Sequence, residues 1–177
     1  MLNLRLLPVV MTAAISAVVL FGGWFAYQSF AMEEPFIQQV SEIEGVESVT
    51  LDRNRRETAA VLKIKPGTDL QNAYQAASGV GEDVFGKDKL TITVLDDTSD
   101  ALEEWWSQAL FDVAQSMETK QYSLIPERLN ALAASNGFGV HTEMDDTNVY
   151  ITLTEGPHCK YIILPRTPAM MGVWPNE

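Results

Sequence analysis

The sequence predicts an α+β fold in which an N-terminal transmembrane helix precedes an extracytoplasmic domain. Two observations lead to this prediction. Residues 6–27 carry no charged side chain, and the chain after them alternates between helical and strand-like spacing of apolar residues. The order of elements is α-β-β-α-β over residues 33–97 and α-α-β-β-β over residues 98–177. We therefore expect an anchor, residues 1–32, followed by two subdomains.

The uncharged run 6–27 is long enough to cross a membrane. Its 22 residues span roughly 33 Å as a helix, and the hydrocarbon core of a bilayer is about 30 Å thick. Arg5 precedes the run and Glu33 is the first charge after it. The positive-inside rule then places the N-terminus in the cytoplasm and the domain outside. We expect a single-pass protein of the cell membrane that contacts the bilayer through residues 6–27.

Two other interpretations of this run stay open. Ser29, Phe30 and Ala31 resemble a small-x-small cleavage site, so the segment could be a signal peptide that is removed after Ala31. The run is longer than the usual apolar core of a signal peptide, about 7–15 residues, which favours an uncleaved anchor. The third interpretation is a buried helix of a soluble domain.

The charge of the chain excludes one class of partner. Residues 33–177 hold all 24 acidic residues and 11 of the 12 basic ones, a formal charge of −13. Such a surface repels nucleic acid, so we expect no nucleic-acid partner. The charge serves solubility or, alternatively, forms a docking face for a basic protein.

The first subdomain begins with a helix over residues 35–44, which ends at Gly45. Two alternating runs, 46–52 and 58–65, predict a hairpin. Pro66 and Gly67 break the second strand, and Thr68 with Gln71 fits a capping box for a helix that ends near residue 85. Residues 89–97 alternate again and predict a third strand.

The second subdomain begins with a long helix, for which Asp100 and Glu103 fit a capping box. Its apolar stripe has helical spacing and comprises Leu102, Trp106, Ala109, Leu110, Val113 and Met117, widened by Trp105 and Phe111. A second helix starts near Pro126 and stops at Asn136 and Gly137. Three strands follow, over residues 137–144, 148–154 and 160–165.

Residues 167–177 show no periodicity but contain several apolar side chains, among them Met170, Met171 and Trp174. Such side chains are unusual in solvent. We expect this segment to fold back onto the domain; the alternative is a contact peptide for a partner.

Few residues of the sequence are suited to metal binding or catalysis. Alternation places His141 and Glu143 on one face of a strand, and His158 and Cys159 lie in a turn that could approach them. These four residue types bind zinc or copper, but their spacing matches no common ligand pattern. Cys159 is the only cysteine, so no internal disulfide is expected.

We predict no catalytic residues, no cofactor and no enzymatic activity. Acidic pairs such as Asp145 and Asp146 fall at turns or helix starts, where capping accounts for them. No nucleophile elbow is present. Gly79 and Gly81 fall in or after a helix instead of between strand and helix, so they do not form a phosphate loop.

The candidate interaction residues are aromatic or basic. Trp105 and Trp106 point about 100° apart on a helix, so one of them can serve as an aromatic anchor for a partner. Arg53, Arg55 and Arg56 form a basic hairpin tip in an acidic domain, and Trp174 lies in the final segment.

The first subdomain resembles the ring-building motif. The shared cues are a helix ending in I-x-G-V-x-S-V, a strand ending in K-x-K-P-G and a strand ending in V-x-D-D. In this sequence they are Ile43, Gly45, Val46, Ser48 and Val49; Lys63, Lys65, Pro66 and Gly67; and Val94, Asp96 and Asp97.

That motif occurs in flagellar MS-ring proteins, in inner-ring lipoproteins of type III secretion and in stage III sporulation channel proteins. The resemblance covers residues 35–97 and implies a membrane-tethered module that self-associates or packs side by side outside the membrane. The resemblance implies no catalytic residue in this sequence. It leads us to expect a scaffold or accessory subunit of an envelope assembly. The alternative is an exported small-molecule or metal-binding domain that uses the face of His141 and Glu143.

Overall fold

The computed structural model describes residues 6–28, 32–53, 58–134 and 136–166. In these ranges the chain forms two three-stranded sheets and five helices. The elements in chain order are α1 (Leu6–Gln28), α2 (Glu34–Ser41), β1 (Val46–Arg53), β2 (Thr58–Ile64), α3 (Leu70–Phe85), β3 (Leu90–Val94), α4 (Asp100–Glu118), α5 (Leu124–Ala134), β4 (Gly139–Met144), β5 (Asn148–Glu155) and β6 (His158–Pro165). The predicted α+β class and the predicted order of elements are confirmed.

The helix α1 is apolar around its whole circumference. Its segment Pro8–Phe25 is long and apolar enough to cross a membrane, and none of that segment is buried against the rest of the chain. The interpretations given above differ in what covers this surface. Within the described residues, the chain itself covers none of it.

The first sheet has the strand order β1-β2-β3. The strands β1 and β2 pair antiparallel, and β3 joins β2 in parallel after the crossover helix α3. The helices α2 and α3 bury Phe36, Val40 and Leu70 in one cluster with Ala60 and Leu62 of β2. This cluster is the core of the first half.

A β-bulge at the start of β1 explains how its apolar residues share one face. Strict alternation would place Val46 on the opposite face from Val49 and Leu51. The pairing moves from Val46 opposite Ile64 directly to Ser48 opposite Lys63, which inserts one extra residue and reverses the alternation. Val46, Val49 and Leu51 all pack against the first cluster.

The second sheet, β4-β5-β6, is antiparallel and buried on both faces around its central strand β5. Ile151 and Leu153 pack in a second cluster with α4 and α5. The opposite face presents Tyr150, Cys159 and Tyr161 to the cluster of the first half. The first cluster therefore contains side chains from both halves of the chain, which share this core.

Within the described ranges, the two sheets meet at one isolated bridge. Asp97, just beyond β3, donates its backbone N–H to the carbonyl of Cys159 at 3.0 Å and accepts from the Cys159 N–H at 2.8 Å. The strand order across the molecule is thus β1-β2-β3, then the bridge, then β6-β5-β4.

Two predicted helix caps are wrong by one residue. The N-cap of α3 is Asp69, whose carboxylate accepts from the Asn72 N–H at 2.8 Å, because the Thr68 hydroxyl donates to the Gly45 carbonyl instead, at 3.3 Å. The N-cap of α4 is Ser99 instead of Asp100. The helix α5 also begins two residues before Pro126, at Leu124.

Gly45 provides a test of this fold. It has a φ of +85°, and a Cβ at this position would overlap the side chain of Thr68. We expect Gly45→Ala to lower the free energy of unfolding by about 1–3 kcal/mol through backbone strain and this overlap. The matched control is Gly79→Ala in α3, where a Cβ meets nothing within 4 Å; it should stabilise by about 0.5–1 kcal/mol. Urea denaturation measures both, and equal effects of the two variants would contradict this account.

Candidate functional site

The structure places Trp105 in the core. Its side chain is 7% exposed, and its ring packs edge-on against Phe138 with 5.5 Å between ring centroids. The buried stripe of α4 is centred on Leu102, Trp105 and Ala109, not on Trp106. The prediction of Trp105 as a surface contact is therefore wrong, because the second sheet meets α4 at a slightly rotated face.

The exposed aromatic residue of α4 is Phe111, which is 80% exposed, and the neighbouring Leu110 is also exposed. The predicted apolar stripe includes both residues. Instead, they form a solvent-facing apolar surface on the outer side of α4, which we call the α4 surface. Contiguous exposed apolar side chains are a feature of contact sites, and the adjacent Leu110 and Phe111 therefore make the α4 surface a candidate.

Of the other predicted contact residues, only the backbone of Arg53 lies within the described residues. Arg53 ends β1, where its backbone pairs with Thr58. The side chain of Arg53, together with Arg55, Arg56 and Trp174, lies outside the described residues.

The four candidate metal ligands are not brought together. His141 Nε2 lies 3.4 Å from Glu143 Oε1, as expected for neighbours on one strand face. His158 Nδ1 lies 3.6 Å from Asp97 Oδ1, and Cys159 is buried with its backbone in the Asp97 bridge.

The sheet register keeps His141 and Glu143 apart from His158 and Cys159. His141 lies in one row with Thr152 of β5 and Tyr161 of β6. His158 lies two strands away and three residues along β6, which amounts to roughly 14 Å between the histidine backbones. Among the described residues, no group of three or more His, Cys, Asp or Glu side chains is placed to hold a metal ion.

The sequence analysis missed Lys160, which connects the two halves of the chain. Its side chain is 13% exposed and lies on β6 between two carboxylates. Lys160 Nζ donates to Glu103 Oε1 of α4 at 2.7 Å and to Asp96 Oδ2 at 3.3 Å, and Asp96 Oδ1 accepts from the Tyr161 N–H at 2.7 Å. A single basic residue within an apolar strand is the sequence signal that could have identified it, since a buried charge requires partners.

These carboxylates also stabilise the charged form of Lys160. Burial alone would lower the pKa of Lys160, but the hydrogen bond to Glu103 and the charge of Asp96 outweigh it and raise the pKa above its ordinary value. Lys160 is thus a structural cation, and it is held in its charged form.

A second connection lies at the turn between β4 and β5. Asp145 Oδ2 accepts from the Tyr150 hydroxyl at 2.6 Å and from Gln75 Nε2 of α3 at 2.7 Å. Asp145 Oδ1 accepts from the backbone N–H groups of Thr147 and Asn148, each at 2.7 Å. Sequence analysis identified this turn, but it could not show that Asp145 binds a helix 70 residues away.

The environment of Asp145 holds the carboxylate charged. Burial alone would raise the pKa of Asp145, but the hydrogen bonds from Tyr150, Gln75 and the turn backbone outweigh it and hold that pKa well below its usual range. Burial, with the hydrogen bond to Asp145, raises the pKa of Tyr150 above its usual range.

Beyond the Asp97 bridge, β3 and β6 enclose a groove of about 380 Å³. Its walls are residues 92–94 of β3 and residues 160–163 of β6, and Trp106 of α4 lines it as well. We call it the β3–β6 groove.

No protein-family model, curated protein or solved structure matches this chain. The resemblance to the ring-building motif therefore stays a prediction.

Asp145 provides the second test. We expect Asp145→Ala to lower the free energy of unfolding by about 1.5–3 kcal/mol at pH 7, because Tyr150 and Gln75 lose a charged acceptor. The folded-state pKa is depressed, so the stabilisation is present above the unfolded pKa of about 3.9 and is lost as the pH falls through the folded value. Urea denaturation should therefore show the difference shrinking below about pH 4. The control is Asp146→Ala at the exposed neighbouring position, and an equal loss there would contradict the assignment.

Lys160 provides the third test, with Lys63 as its matched control. Lys160→Met leaves two carboxylates without their cation and should cost about 1.5–3 kcal/mol. Lys63 pairs with Glu47 at 3.0 Å, with both side chains about half exposed, so Lys63→Met should cost less than about 1 kcal/mol.

The pH dependence of the Lys160 effect has the opposite sign from that of Asp145. Because the folded pKa of Lys160 is raised, its stabilisation is complete below the unfolded value and is lost as the pH rises through the folded one. The difference between the wild type and Lys160→Met should shrink above about pH 10.5. A constant difference up to pH 12 would contradict this.

Proposed function

We propose that this protein is a single-pass membrane protein whose extracytoplasmic domain acts through protein–protein contacts, as a scaffold or accessory subunit of an envelope assembly. The observation that carries the proposal is α1, a 23-residue helix with apolar side chains exposed around its circumference. Exposing such an apolar surface to water costs free energy, whereas placing it in the hydrocarbon core of a bilayer is favourable.

The length of chain between α1 and the domain supports a role close to the membrane. The helix α1 ends at Gln28 and α2 begins at Glu34. Six residue steps reach at most about 22 Å. The domain is therefore tethered near the membrane surface, which raises its local concentration toward other proteins of the same membrane.

The α4 surface supports the contact function. Phe111 and Leu110 are exposed on a helix whose inner side is anchored in the second cluster. A rigid, exposed aromatic side chain of this kind can anchor an interface at low entropic cost.

The test is crosslinking of the full-length protein in intact cells, with the products analysed by mass. We expect products at multiples of the chain mass, or a defined product with one other membrane protein. A chain that stays monomeric and captures nothing would contradict the proposed function.

Phe111→Ser tests the α4 surface within the same experiment. We expect the crosslinked fraction to fall about fivefold or more, since loss of an aromatic anchor costs more than about 1 kcal/mol. The control is Glu82→Ser, at an exposed position of α3, which should leave the products unchanged. If Phe111→Ser also leaves them unchanged, the contact lies elsewhere and the assignment of the α4 surface is wrong.

A further inference from the structure

The α4 surface belongs to a set of four exposed side chains that is shaped to receive a helix. Ser107, Leu110, Phe111 and Ala114 are all exposed, and they stand at positions i, i+3, i+4 and i+7 of α4. When two helices pack side by side, four residues at this spacing surround a hole that receives one side chain of the facing helix. The small side chains of Ser107 and Ala114 leave room at both ends of this hole. The geometry therefore suits a helix as the occupant.

The charge on α4 is entirely acidic. The helix contains five acidic residues and no lysine or arginine. Two of the five pair with cations of other elements: Asp112 with Arg128 at 3.0 Å, and Glu103 with Lys160 at 2.7 Å. The other three are exposed and form no ion pair within the described ranges. They are Asp100, Glu104 and Glu118.

Glu104 and Glu118 lie on the same side of α4 as Phe111. Each is seven residues from Phe111, which amounts to about 20° around the helix axis and about 10 Å along it. Asp100 is explained by its place in the first turn, where the helix dipole favours a carboxylate. Glu118 is in the last turn, where the dipole disfavours one, and among the described residues the following Lys120 forms no ion pair with it. Local helix stability does not account for Glu118, whereas a cation on a partner would stabilise it.

These charges decide against a second copy of this chain as the occupant. An antiparallel pair of α4 helices centred on Phe111 would place Glu104 beside Glu118 of the second copy, and a parallel pair would place identical carboxylates side by side. Like charges placed together weaken an interface. Residues 33–177 also carry a formal charge of −13, so two copies repel each other at longer range. The surface that complements α4 is therefore basic.

We propose that α4 docks a basic amphipathic helix of another protein. An apolar side chain of that helix enters the hole beside Phe111, and lysine or arginine side chains about 10 Å to either side of it pair with Glu104 and Glu118. Phe111 supplies the apolar anchor, and the carboxylates select the charge of the partner and steer its approach. This inference rests on the proposed function, to which it adds the chemistry of the partner.

Site-specific photo-crosslinking of the full-length protein in intact cells tests the proposal. A benzophenone amino acid replaces Gln108, which is exposed and lies beside the hole, three residues before Phe111. Mass spectrometry then identifies the captured segment. We expect a segment of a different protein, with apolar residues at helical spacing and lysine or arginine on both sides of them. The same amino acid at Ala76, an exposed position of α3, should not capture this segment.

Charge reversal tests the role of the two carboxylates. The double variant Glu104→Lys, Glu118→Lys should lower the crosslinked yield at position 108 at least tenfold, because both ion pairs become repulsive. The matched control is Glu82→Lys with Asp83→Lys, at exposed positions of α3, which changes the net charge equally and should leave the yield unchanged. Urea denaturation checks that both variants fold. Changing the paired basic residues of the captured segment to glutamate should restore the yield with the α4 double variant.

The crosslinks also separate this proposal from the proposed function. A product at position 108 between two copies of this chain, or with a segment that lacks lysine and arginine, would overturn the docking of a basic helix. An unchanged yield in the α4 double variant would overturn it as well. If position 108 captures nothing while general crosslinking of the same cells still gives products, the docking site is wrong and the proposed function stands. If neither method gives a product, both fail.

Discussion

Two backbone hydrogen bonds between Asp97 and Cys159 determine how the halves of this chain are assembled. They fix the end of β3 against the start of β6, and the next residues on each side complete the connection: Asp96 accepts from Tyr161, and Lys160 lies between Asp96 and Glu103. A buried lysine is costly without partners. The largely buried Lys160 therefore favours an arrangement of the halves in which both carboxylates reach it.

A second connection at the opposite end of the second sheet prevents the halves from pivoting about this point. Asp145 bonds Gln75 of α3, and the Tyr74 ring packs against Tyr150 with 5.8 Å between ring centroids. The two connections lie at the two ends of β5. They therefore hold the two halves in one position relative to each other around the shared core. Under the proposed function the domain is tethered close to a membrane, and its fixed shape then limits the orientations in which it presents the α4 surface.

The sequence predicted the elements well, since each depends on local spacing and on turn residues. What it missed depends on contacts between distant residues. The bulge in β1 has no local signal, because Val46, Val49 and Leu51 would have been assigned to opposite faces by any alternating pattern. Trp105 and Trp106 are adjacent on α4, and the position of the second sheet alone decides which one is buried.

In the candidate site, too, the sequence predicted contacts between near neighbours but not contacts between distant residues. The pairing of His141 with Glu143 followed from strand alternation, and the structure contains it. The separation of His158 from that pair depends on the register across three strands. Gln75, which bonds Asp145, and the two carboxylates that bond Lys160 lie 57 to 70 residues away from them in the sequence, where spacing carries no information.

The central claim is that the two halves form one cooperative body because they share a core. Native-state hydrogen exchange at increasing urea concentration, on the full-length protein in micelles, tests it most directly. We expect amides at the centre of β2 and of β5 to converge on a single free energy of opening with the same dependence on urea. If β2 opens at a clearly lower free energy than β5, the halves are independent folding units and the shared core does not couple them.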